Sequence, residues 1–173
     1  RFYRSRTVNK PDLRARLGEA AKRLGLRMPQ AQLLLAQERF LFRLAQVDTR
    51  KNLVWKGGSL ILRRYSDLRP PRFTIDIDLL VDGIDFSDGE DLVENALGIE
   101  LHDGFKFTSI KKTPMERETP YGGERFEISW SFQGKANSEA LRIDLCAGDD
   151  VDSEKIPLSE VYLLDDDASK ATF

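Results

Sequence analysis

Apolar residues recur at helical spacing through the first part of the chain. Leu13, Leu17, Ala20 and Leu24 predict a helix over residues 11–26, with Pro11 in its first turn and Gly25 at its end. A second helix is expected over residues 29–46. Leu34, Leu41 and Ala45 form one stripe on it, with Leu33, Phe40 and Leu44 beside them. Arg39 and Arg43 lie four apart and should face together, toward phosphates or toward water. The period then shortens. Leu53-Val54-Trp55 reads as a strand entering Lys56-Gly57-Gly58-Ser59, and Ser59 suits the N-cap of a helix through Leu60, Ile61 and Leu62 toward Tyr65. A strand over residues 74–82 and a helix over 88–97 follow. Strands are then expected at 105–111, 125–132 and 141–146, with turns at Gly122-Gly123 and Gly134-Lys135. Two helices followed by β-α-β-α-β-β-β predict a mixed α/β sheet with one helix-covered face. The natural division is a helical arm at 1–50 and a core at 51–173.

Chemistry enters at the second strand. Ile75, Ile77, Leu79 and Val81 share one face, and Asp76 and Asp78 share the other, about 7 Å apart at the backbone. Carboxylates that close repel, and a shared hard cation relieves them. Magnesium commonly takes one or two carboxylates plus substrate phosphates, and two such ions clamp an in-line displacement at phosphorus. A strand with one solvated polar face gives the same Asp-x-Asp pattern, so the spacing alone carries little. The preceding turn sharpens it. Gly57 and Gly58 permit close approach of a ligand, and a helix N-terminus offers N–H groups and partial positive charge to phosphate. Lys56 adds a point charge. The turn lacks the Gly-Lys-Ser/Thr ending of a Walker A loop and the G-x-G-x-x-G of a dinucleotide site. Asp144 lies on the polar face of the last strand with Arg142 and Cys146, opposite Leu141, Ile143 and Leu145. It completes a carboxylate triad if that strand lies beside Asp76; otherwise it pairs with a neighbouring basic residue. The combination suits a nucleoside triphosphate with magnesium, and hence nucleotidyl transfer.

These residues together resemble the AbiEii/AbiGii-type nucleotidyltransferase toxins, within the DNA polymerase β-like nucleotidyltransferase superfamily. The likeness runs over about residues 35–150. It rests on Glu38-Arg39-Phe40-Leu41 with Arg43-Leu44, on Lys56-Gly57-Gly58-Ser59 with Arg63 and Tyr65, on 72–80 (RFTIDIDLL), and on Arg142-Ile143-Asp144-Leu145 with Gly148-Asp149. The resemblance implies a polymerase β-like core preceded by a helical pair. It implies magnesium on Asp76 and Asp78, with Asp144 as the third acidic position. It places the triphosphate on Gly58 and Ser59, beside Gly57, with Lys56 and Arg72 as further phosphate contacts. It also implies a growth-inhibiting toxin, a cognate antitoxin, and the 3′ end of tRNA as acceptor. Two departures stand out. Sixteen residues separate Ser59 from Asp76, more than the family usually has, with the excess in the loop at 67–71. The family's later Ala-Glu-Lys-like and Arg-Asp-x-x-Asp-like motifs are missing, and the first residue is not Met, so the chain reads as truncated at its C-terminus.

Composition adds three constraints. The 173 residues carry a net charge of −2, but residues 1–72 hold 18 Lys/Arg against 5 Asp/Glu and residues 73–173 hold 9 against 24. The basic half suits nucleotide or RNA phosphates; equally, the halves neutralise each other, or the arm meets an acidic partner. A single cysteine, Cys146, excludes an internal disulfide framework and points to a reducing, cytoplasmic setting. One histidine, His102, beside Asp103-Gly104, reads as a turn residue, which disfavours His-based zinc sites and serine triads. No apolar run approaches a membrane span. Two other functions fit the same residues: transfer to a protein or small molecule, and a non-catalytic nucleotide-binding or antitoxin-binding module.

Overall fold

The computed structural model describes residues 10–48, 52–64, 74–115 and 122–148, with backbone only at 10–12 and 62–64. The expectations for Tyr65, the loop at 67–71 and Asp149 lie outside these residues. Within them the chain is a mixed α/β fold with an N-terminal helical pair. Its order is α1 (Lys10–Leu24), α2 (Met28–Val47), β1 (Leu53–Lys56), α3 (Gly57–Arg64), β2 (Asp76–Val81) and α4 (Phe86–Leu97). Then come β3 (Phe105–Pro114), β4 (Gly123–Phe132), β5 (Lys135–Ala136) and β6 (Leu141–Cys146). Among the described residues no helix is long and apolar enough to cross a membrane.

The six strands form one sheet in the order β1-β2-β6-β4-β3, with β5 paired to β4. Only β2 and β6 run parallel; the other pairings are antiparallel. The strand alternation seen in the sequence becomes a two-faced sheet. Ile77, Leu79, Ile143, Leu145, Phe126 and Ile128 are buried on one face, each worth about 1.5–3 kcal/mol when removed from water. Helices α2 and α4 pack on that face, and α1 packs on α2. Phe40 of α2 meets Phe107 of β3 edge-on, with centroids 5.3 Å apart. Asp48, just after α2, accepts the backbone N–H groups of Asn52 and Leu53 at 2.9 and 2.8 Å and so anchors the start of β1.

The sequence places most elements within a few residues of where they lie. Three differences have clear causes. Lys135, read as a turn residue, opens the short β5, because Asn137 donates its N–H back to the Trp130 carbonyl and extends the hairpin. Helix α3 begins at Gly57 rather than after Ser59. Most consequentially, Arg39 and Arg43 face neither phosphate nor bulk water; both are buried. Most of the middle of α2, from Leu33 to Leu41, is covered, so Gln37, Glu38 and Arg39 on it are interior, as is Arg43. Arg43 keeps 2% exposure and binds Asp103 through two bonds of 2.9 Å. It also donates to the carbonyls of Arg39, Ile99 and Phe105, and it stacks over the Phe107 ring at 5.0 Å. One guanidinium thus ties α2 to the α4–β3 connection.

Removing one partner of such a pair strands a buried charge. Arg43→Met is expected to destabilise the fold by about 3–5 kcal/mol, read as a lower urea midpoint. Arg142→Met, whose guanidinium is half-exposed with a long contact of 3.7 Å to Glu127, is expected to cost about 1 kcal/mol or less.

Candidate active site

The polar face of the sheet carries the charged residues in register. Lys56 of β1 lies opposite Asp78 of β2. Asp76 and Asp78 lie beside Arg142 and Asp144 of β6. Arg125 and Glu127 of β4 lie beside Asp144 and Arg142 in turn. The adjacency of the Asp144 strand to the Asp76 strand, which the sequence leaves open, is therefore present, and it sets Asp78 and Asp144 one strand spacing apart, about 4.8 Å.

The glycine turn and the Asp-x-Asp strand form one contact. Gly57 is the last step of the chain out of β1, with φ of 80°, and a Cβ there would fall on the Asp78 carboxylate. A Cβ on Gly58 would sit 2.7 Å from Thr74 Cγ2. The N-terminus of α3 is thus pressed onto β2 at the two residues that flank Asp76 on the same face. Ser59 is not the N-cap. It lies inside α3, fully buried, and its Oγ accepts the Trp55 indole N–H at 3.0 Å. That bond fastens the turn to β1. Arg72 lies outside the described residues.

Two carboxylates are under electrostatic stress. Burial pushes Asp76 above the ordinary carboxylate value of 3.8, and the Asp144 charge adds to the rise. Asp78 is raised by burial, then by Asp144 and Asp76, with Lys56 and Arg125 opposing. Among the described residues, Asp76 Oδ1 is buried with no hydrogen-bond partner, and so is the hydroxyl of Thr74. Asp144 is in a different state. It is nearly buried and held by Arg125 in a bidentate pair, Nε to Oδ1 at 2.7 Å and a terminal nitrogen to Oδ2 at 2.6 Å. Among the described residues no three His, Cys, Asp or Glu side chains stand together as a ready metal cage. The repulsion between Asp76 and Asp78 and the unpartnered Asp76 oxygen fit a divalent cation, with Asp144 one strand away and engaged by Arg125.

Sequence reasoning missed Arg125, although its place was legible. It is the first polar position on the face of β4 opposite Phe126, Ile128 and Trp130, which are core. It also missed Gln37, a buried amide of α2 that donates to the Ile75 carbonyl at 2.9 Å and holds the entry to β2. A polar residue on an amphipathic helix gives no signal that it reaches a strand end 38 residues away.

Two outcomes are expected. Gly57→Ala should cost about 2 kcal/mol or more, from the left-handed backbone and the collision with Asp78. Gly25→Ala, also left-handed but with open space around it, should cost only about 1 kcal/mol; equal urea midpoints would remove the close contact. Because the folded values of Asp76 and Asp78 are raised, both bear no penalty below pH 3.8, and the penalty grows as pH rises through their folded values. Asp76→Asn should therefore raise the melting temperature at neutral pH, by at most about 1 kcal/mol equivalent after solvent screening. The gain should vanish as pH falls below 3.8, as followed by thermal melts across pH.

A search of curated proteins finds no match to this chain. The family comparison does. The description Nucleotidyl transferase AbiEii toxin, Type IV TA system, matches residues 39–171, a span that takes in the glycine turn, both β2 carboxylates, Arg125 and Asp144. With most of the chain inside that match, this protein belongs to the AbiEii nucleotidyl transferase toxin family of Type IV toxin–antitoxin systems.

Proposed function

We propose that this chain transfers a nucleotide from a nucleoside triphosphate to an acceptor hydroxyl, with Mg2+ held by Asp76 and Asp78 and the 3′ end of tRNA as acceptor. The observation that supports it most is the packing of the Gly57-Gly58 turn on Asp78 and Thr74. It puts a helix N-terminus, whose first N–H groups have no intrahelical partner, directly beside the Asp78 carboxylate, two residues along the strand from Asp76. Phosphate on the one side and cation on the other is the pairing a triphosphate requires.

The residues divide the work as follows. The backbone N–H groups of Gly58 and Ser59 take triphosphate oxygens; the Ser59 hydroxyl is already engaged by Trp55. Lys56, opposite Asp78, adds positive charge, and Arg72 joins on the family likeness. Bound Mg2+ supplies charge neutralisation on the α-phosphate and the departing pyrophosphate. The acceptor oxygen attacks the α-phosphorus, the bond to the β-phosphate oxygen breaks, and pyrophosphate leaves. Asp144, on the neighbouring strand, takes the acceptor's proton directly or through water. Tethering to tRNA rests on the family likeness and on the basic N-terminal half. An antitoxin partner follows from the same family.

The test is label transfer from each α-labelled nucleoside triphosphate to total cellular RNA or lysate protein, in magnesium. Label on small RNA that falls about a thousandfold in Asp76→Ala, or about 4 kcal/mol of barrier, is the expected result. Label on protein would replace the acceptor. Undiminished transfer by a folded Asp76→Ala protein would overturn the reading.

A further inference from the structure

The Arg125–Asp144 pair is more than a structural tie. It joins β4 to β6 on the polar face, and among the described residues it is the tightest ion pair there, at 2.6 and 2.7 Å. Its two members differ in setting: the Asp144 side chain is 12% exposed, whereas that of Arg125 is 39% exposed. A bidentate fork occupies both oxygens of a carboxylate. The fork takes one lone pair of each Asp144 oxygen and sets a positive charge against the carboxylate that lies in register with Asp78, so a cation drawn to Asp144 meets that charge. Among the described residues, the charged neighbours in register are Asp76, Asp78 and Lys56 across β2 and β1, Arg142 on the same strand, and Glu127 beside Arg125 on β4.

Resting on the magnesium reading above, we infer that Arg125 and the cation compete for Asp144, so that Arg125 is a positioning residue that withholds the third carboxylate until a triphosphate draws its guanidinium away. In the nucleotide-free protein the cation then meets only Asp76 and Asp78. A triphosphate offers the exposed Arg125 fork an anion of higher charge than Asp144. Once the fork turns to phosphate, Asp144 is a nearly buried charge without its partner, and the cation becomes its natural replacement. Nucleotide and metal would in this way tighten each other's binding, a reciprocal coupling of about tenfold.

The experiment uses Mg2+ alone, titrated at constant ionic strength against the nucleotide-free protein, with the rise in melting temperature as readout. Arg125→Met is expected to bind Mg2+ about tenfold more tightly, because Asp144 becomes a ligand and ligand charge sets affinity. Asp144→Asn alone is expected to weaken Mg2+ binding less than Asp76→Asn does, through the lost charge and not a lost ligand, and to abolish the gain when combined with Arg125→Met. Arg125→Lys, which keeps the charge and loses the fork, should fall between. Should Arg125→Met not fold, Arg125→Lys with and without Asp144→Asn carries the same comparison. In turnover, Arg125→Met should raise KM for the nucleotide, a change that a purely structural role would not produce. Asp76→Asn separates the two levels of argument. If it fails to weaken Mg2+ binding, the magnesium reading itself falls. If it weakens binding while Arg125→Met gives no gain, or while Asp144→Asn weakens binding equally, only the competition is overturned.

Discussion

The parallel ladder between β2 and β6 sets Ile77 beside Ile143 on one face and Asp78 beside Asp144 on the other. Both consequences come from one register. Slipping it by a single residue would send the acids into the core and the isoleucines into water. The buried face specifies the register strongly, because Ile77, Leu79, Ile143 and Leu145 are all fully covered by the helices. On the polar face the like charges of Asp76, Asp78 and Asp144 oppose the arrangement, and Arg125, Arg142 and Lys56 offset that repulsion only in part. Core packing thus holds in place a set of carboxylates that would otherwise separate.

Such a sheet must be backed firmly. Helix α2 does this from several sides, with Phe40 against the sheet, Gln37 at the head of β2 and Arg43 at the α4–β3 connection. Polar side chains on this helix reach specific backbone atoms far along the chain, so they set position as well as stability. The front of the sheet is fastened differently. There the Ser59–Trp55 bond and the glycine contact hold α3 close to the acids. A residue with a side chain at 57 would push that helix end and Asp78 apart. The glycine pair is therefore required by space against a strand from elsewhere, as well as by backbone angle.

The raised values of Asp76 and Asp78 and the engaged state of Asp144 describe a site in which three acids have two different solutions to the same problem. One is a guanidinium already in place. The other is left to a ligand. An AbiEii-family nucleotidyl transferase fold accommodates both, since the strands that carry the charges are fixed by the opposite face.

Local periodicity was sufficient for the helices, for the strands and for the face on which Asp76, Asp78 and Asp144 lie, because i+2 and i+3/i+4 relations are properties of neighbouring residues. The order of the elements likewise pointed to a mixed sheet behind helices. What the chain's own pattern could not contain was which strands meet. The pairing of β2 with β6, which unites Asp78 and Asp144, is a contact across 66 positions settled by how α4, β3 and β4 fold between them. For the same reason Arg43 read as a surface cation until the sheet and α4 closed around it, and Ser59 read as a cap until Trp55 claimed its hydroxyl. Side-chain partners distant in sequence are chosen by packing, and burial turns an ordinary polar residue into a fixed one.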